Sequence, residues 1–207
     1  MRRRVSQVLC SALFLLLSGN LRLAAIENEP VAANSAAALG PGTAASCVQP
    51  ATPSEPVDPS VTAAISRKFV ASRRFREGTS PAAEVRISWL GATFMRRFAA
   101  KIEDDANGVT RQIHALGRAS TSIQIIAELH DRHETQLADV WCFLKLQAGG
   151  GKGALQTSAL PNIFFVRDVT GELGAVDAVW GGAGWEIGAS PMGSQRQWPS
   201  GAHVIAR

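Results

Sequence analysis

The sequence predicts an α+β fold, with helices over about 58–148 packed on a C-terminal three-stranded antiparallel β-meander over about 162–189. Two patterns carry the prediction. From Ile123 through Ile126, His130, His133, Leu137, Trp141 and Leu144 to Ala148, residues recur at three- and four-residue steps until Gly149-Gly150-Gly151, the period of one helix face. From Asn162 to Ala189 the period changes to two, with tight turns at Val169-Thr170-Gly171 and Gly181-Gly182-Ala183-Gly184, as in strands joined by hairpins.

Before the domain comes a leader. Arg2, Arg3 and Arg4 precede an uncharged apolar run from Val8 to Leu17, and Leu23-Ala24-Ala25 offers small residues for cleavage. Residues 1–25 therefore read as a signal peptide, or as an uncleaved signal anchor. The run is shorter than the roughly 20 residues that cross a bilayer comfortably. Losing the leader removes Arg2, Arg3, Arg4 and Arg22 and leaves 17 basic against 17 acidic residues in a chain that starts at net +4. A cleaved signal thus removes the electrostatic case for nucleic acid. Residues 26–57 are rich in Ala, Pro and Ser and read as a disordered linker. Of the three cysteines, Cys10 lies in the leader, Cys47 in the linker and Cys142 in a helix. In an oxidising compartment Cys47 and Cys142 are able to pair.

Asp58-Pro59 is a helix start, followed by Val61, Ile65 and Phe69 at four-residue steps. The chain then turns basic at Arg67, Lys68, Arg73, Arg74 and Arg76, interleaved with Phe69 and Phe75. Such a segment suits an anionic membrane surface or a nucleic acid. It equally suits a solvated face balanced by acids elsewhere, and 102–148 carries seven acids against four bases. Val85, Ile87 and Trp89 alternate as in a strand, yet Ser80-Pro81 is an equally good helix start. Phe94, Met95, Phe98 and Ile102 fit one helix face, and Val109, Ile113 and Leu116 also have helical spacing. The half from His133 to Ala148 is the clearest helix, and its Leu137, Val140, Trp141 and Leu144 are expected to cover the meander.

In the meander, Val176, Ala178 and Trp180 alternate with Ala175, Asp177 and Val179, and Trp185 and Ile187 alternate with Glu186 and Gly188. Asp177 and Glu186 thereby fall opposite the Trp180 and Trp185 face. Residues 191–207 read as a loosely ordered polar tail from which Trp198 and Val204 can dock on the core.

Few residues point to chemistry. His130, His133 and Glu134 place two imidazoles and a carboxylate within five residues, a candidate metal site. The spacing is neither H-E-x-x-H nor H-x-x-E-H, and the competing reading is a solvated helix start. Trp180 and Trp185 could line an aromatic pocket, or simply form the core of the sheet. Gly149 to Gly153 is not a phosphate loop, because Leu146 and Gly153 stand where Gly and Ser or Thr are required. No G-x-S-x-G elbow occurs, His114 and His203 are isolated, and no cofactor is implied. The expected function is an extracytoplasmic, periplasmic or secreted, non-enzymatic module that binds a protein or small molecule. Residues 67–76 offer it an anionic membrane surface. The alternative is a small hydrolase, metal-assisted or not, at His130, His133 and Glu134.

Overall fold

The computed structural model describes residues 38–47, 68–104 and 109–207, all within the compact unit Ser35–Arg207. The chain runs β1 (Thr43–Cys47), β2 (Lys68–Val70), α1 (Ala71–Arg74), β3 (Ile87–Leu90), α2 (Ala92–Phe98) and β4 (Ile102–Asp104). Then come β5 (Val109–Ala115), β6 (Ser120–Thr121), α3 (Ser122–Leu129), a 3-10 turn (His130–His133), β7 (Glu134–Thr135) and α4 (Leu137–Leu146). The last third is β8 (Asn162–Arg167), β9 (Leu173–Trp180), β10 (Trp185–Pro191), β11 (Gln197–Trp198) and β12 (His203–Ala206).

Seven strands follow the order β1-β5-β12-β8-β9-β10-β3, and β7 extends the same sheet by pairing with β8. The β12–β8, β7–β8 and β10–β3 pairs are parallel and the rest antiparallel. This mixed eight-stranded sheet with a few short helices overturns the expectation of helices packed on a three-stranded meander. The meander itself forms, as β8, β9 and β10, but it is the middle of the larger sheet.

The physical reason is that edge completion outweighs local period. Val109 to Ala115 has helical spacing, yet its Val, Thr and Ile favour a pleated strand once partners exist. Strand β5 finds them in β1 on one side and β12 on the other. Ile87 and Trp89 keep their alternation in β3. The long helix expected from Ile123 breaks at His130, whose φ is +53°. Its first part is α3, opened by a capping box in which Thr121 N–H donates to Gln124 Oε1 at 2.8 Å. Its second part is α4, where Gln136 N–H donates to Asp139 Oδ2 at 2.7 Å. The helix start at Asp58-Pro59, Arg67 and the leader lie outside the described residues, as does the 26–57 linker apart from residues 38–47. The segment expected as a tail supplies β11 and β12, and β12 lies inside the sheet with Val204, Ile205 and Ala206 buried.

Both faces of the sheet are covered over much of their area, as strands with parallel neighbours require. On one face Phe164, Val166, Val176, Ala178, Ile187 and Ile205 pack with α4, Phe94 and Phe98. On the other, Ile163, Phe165, Ala175, Val204 and Ala206 pack with Ile125 and Leu129 of α3 and with Trp198. Helix α4 buries Leu137, Val140, Trp141 and Leu144 as expected. Phe143, rather than Trp141, meets a strand ring, Phe164, with centroids 6.3 Å apart. Trp141 turns its edge to Phe75 at 5.4 Å. After α4, Gln147 holds the glycine-rich loop: its Nε2 donates to Gly151 O and Leu155 O, and its Oε1 accepts from Leu155 N–H. Among the described residues, no helix is long and apolar enough to cross a membrane.

Candidate functional site

The face that carries α3 stays open at its β9–β10–β3 end, and there a cleft of about 250 Å³ is lined by Trp89, Gly91, Thr93, Asp177, Gly188 and Arg196. Each wall follows from the register. Asp177 of β9 stands opposite Gly188 of β10, and Glu186 of β10 opposite Trp89 of β3. This puts the carboxylate and the indole on the same face. Gly188 is a spatial necessity, because a Cβ there would stand 2.8 Å from Asp177 Oδ1.

Arg196, between β10 and β11, closes the floor. Its Nη1 donates to Asp177 Oδ1 at 3.0 Å and its Nη2 to Oδ2 at 3.1 Å, with a further bond from Nη1 to Ser190 Oγ at 3.2 Å. The guanidinium carbon stacks 4.0 Å above the ring centroid of buried Trp198. Trp198 is itself anchored by its Nε1–H to Ser122 Oγ at 2.9 Å. Burial pushes the Asp177 carboxyl pKa upward, against the charge and hydrogen bonds of Arg196, which pull it down. The pair presents no net charge to the cleft when both partners are ionised. Above it Trp89 is 50% exposed. The six-membered part of its indole lies against Gly91, where a Cβ would come within 2.8 Å of Cη2.

A second cleft of about 340 Å³ opens between β1, β5 and the Gly153-Ala154 loop, with His203 on its wall. His203 Nδ1 is buried without a hydrogen-bond partner, and burial lowers its pKa. Apart from the Thr43 hydroxyl, the rest of the lining, with Pro41, Ala44, Ala45, Ile113, Ala115 and Ala154, is apolar. His114 lies outside this lining, and its Nδ1–H donates to Gly40 O at 3.0 Å.

The residues singled out from sequence are scattered. Lys68 pairs with Asp104 at 2.6 Å, Arg74 with Glu84 at 3.0 Å, and Arg76 Nε donates to Ser72 O at 3.2 Å, while Arg73 is exposed. Part of the basic segment is therefore balanced locally. Trp185 is fully buried, donates Nε1–H to Gln147 O at 3.1 Å, and meets Trp180 edge to face at 5.4 Å. Trp180 also lies against Gly150, at φ +73°, and under the Arg86 guanidinium at 5.9 Å. These two indoles pack between sheet and loop and do not line either cleft. His133 Nδ1 bonds His130 O, and Glu134 is held by Arg167 at 3.0 Å. His130, His133 and Glu134 stay neighbours in sequence, but among the described residues no three His, Cys, Asp or Glu side chains gather as metal ligands.

The sequence reading passed over Arg196 and did not connect Trp89 with Asp177. A carboxylate inside the apolar run LGAVDAVW and a glycine inside β10 were its only visible signals. Comparison of the chain with protein-family models, with curated proteins and with solved structures finds no match.

Proposed function

We propose that the chain is an exported binding module that holds a small ligand in the cleft beside Trp89. One observation carries the reading: an exposed indole shares an open cleft with the Asp177–Arg196 pair, whose carboxylate is buried and whose guanidinium is partly exposed. An apolar plate with a few placed polar groups is the usual composition of a small-molecule site. No nucleophile paired with a base accompanies it in the lining, so the arrangement suits binding rather than bond breaking.

Export is supported by the leader and by Cys142, which is disulfide-bonded, a state that persists in oxidising compartments. Helix α4, which carries Cys142, packs against β1. The Cys47 side chain, at the end of β1, lies outside the described residues.

A library of small fragments, followed on the Trp89 indole N–H resonance, tests the binding half. Fragments that shift this resonance, and whose affinity read by calorimetry falls in Trp89→Ala, are expected. A library that leaves Trp89 unmoved would remove the reading. The intact mass of protein from an extracytoplasmic fraction tests the export half, with cleavage near Ala25 expected and a full-length cytosolic chain the opposing result.

A further inference from the structure

We infer that the ligand of the Trp89 cleft is a neutral saccharide ring. The inference rests on the binding reading above and names its ligand class.

The argument is a count of what the walls offer. Arg196 has five N–H donors. Three are engaged with Asp177 and Ser190, so two are without a protein partner among the described residues, on a residue that lines the cleft. Its side chain is 42% exposed, and stacking on Trp198 fixes its direction. An ionised carboxylate has about four lone-pair sites, and Arg196 occupies two at Asp177. The floor therefore both donates and accepts, as adjacent hydroxyl groups do. A purely apolar ligand would leave those groups desolvated and unpaired, which costs free energy.

Charge narrows the class further. With Asp177 and Arg196 neutralising one another, an anion meets the carboxylate and a cation meets the guanidinium. Within the lining neither finds an uncompensated partner, whereas a neutral polyol takes up both free edges at no Coulombic cost. Trp89 supplies the third requirement. Its indole, seated on Gly91 and half open to solvent, is a flat apolar surface for the C–H face of a sugar ring. The volume of about 250 Å³ equals the share of roughly eight waters, the scale of one ring with its neighbours projecting into solvent.

The experiment titrates the full chain with neutral tetrasaccharides of glucose, mannose, xylose and N-acetylglucosamine, with tetragalacturonate as the acidic counterpart. Binding is read by calorimetry and on the Trp89 indole resonance. The expected result is that at least one neutral tetrasaccharide binds and shifts Trp89. Trp89→Ala should weaken it about tenfold or more at an unchanged melting temperature, and Trp89→Phe should retain most of it. The saccharide assignment is overturned if tetragalacturonate binds better than every neutral probe, or if Trp89→Ala binds as well as the parent. It is also overturned if small fragments shift Trp89 while no saccharide does, and in that case the binding function stands. If neither fragments nor saccharides shift Trp89, both readings fall together.

Discussion

Gly188 faces Asp177 across the β9–β10 ladder so closely that a methyl group in its place would stand 2.8 Å from Oδ1. The carboxylate cannot swing away freely, because both of its oxygens are tied to Arg196. Gly188→Ala is accordingly expected to lower stability by about 1–3 kcal/mol, the usual cost of overpacking, and to weaken ligand binding. In an Asp177→Ala background the same substitution should cost distinctly less, since the clash is gone. Equal costs in the two backgrounds, read from urea unfolding, would mean that the glycine is there for another reason.

The Arg111–Asp139 pair ties β5 to the first turn of α4. Nε and Nη2 of Arg111 reach Asp139 Oδ2 at 3.1 and 2.9 Å, and Asp139 is fully buried with Oδ1 unpartnered. Arg111→Met is expected to cost on the order of 3–5 kcal/mol by stranding a buried carboxylate. Adding Asp139→Leu should recover part of that loss, less the helix cap to Gln136 N–H. A double variant no more stable than Arg111→Met would contradict the charge argument.

Local period made some of this architecture legible and hid the rest. The meander and α4 could be read because neighbouring residues specify them: alternation with Gly turns in one, an apolar stripe ended by Gly149 to Gly151 in the other. Strand β5 could not, since Val109, Ile113 and Leu116 satisfy a helical template, and only pairing with β1 and β12, distant in sequence, decides otherwise. Strand β12 follows a polar stretch and is four residues long, yet its parallel partner β8 makes it central. The cleft was hidden for the same reason. Trp89, Asp177 and Arg196 belong to three segments that only the sheet brings together.

Asp168 carries the acid sensitivity of the fold. Burial pushes its carboxyl pKa upward, but hydrogen bonds from Thr170 and Arg97, with the Arg97 charge, outweigh burial and bring it from 3.8 to about 2. A depressed folded-state pKa stabilises the fold above the unfolded value and loses that contribution as the pH falls through the folded one. Stability should therefore decline between about pH 4 and pH 2, and less steeply in Asp168→Asn. Parallel pH profiles for the two proteins, from urea midpoints, would assign the acid sensitivity elsewhere.

Trp141 is almost fully buried, edge-on to Phe75 and beneath the Arg74 guanidinium at 5.9 Å. Trp141→Ala is expected to cost about 3–5 kcal/mol, the range for deleting a large core ring. A melting temperature that hardly moves would place this ring outside the cooperative core.

Cys142 sits on α4, whose packing against β1 links the sheet edge to the helical layer. Because Cys142 is disulfide-bonded, the bond restrains the unfolded chain, and losing it should cost about 2–4 kcal/mol. Reduction is expected to lower the melting temperature of the parent, and Cys142→Ser to lower it by a similar amount, with no further effect of reductant on the variant. The comparison also bears on where the protein works. A bond of this kind does not persist against the reducing pool of a cytosol, so a parent that melts identically with and without reductant would remove both the staple and the chemical argument for export.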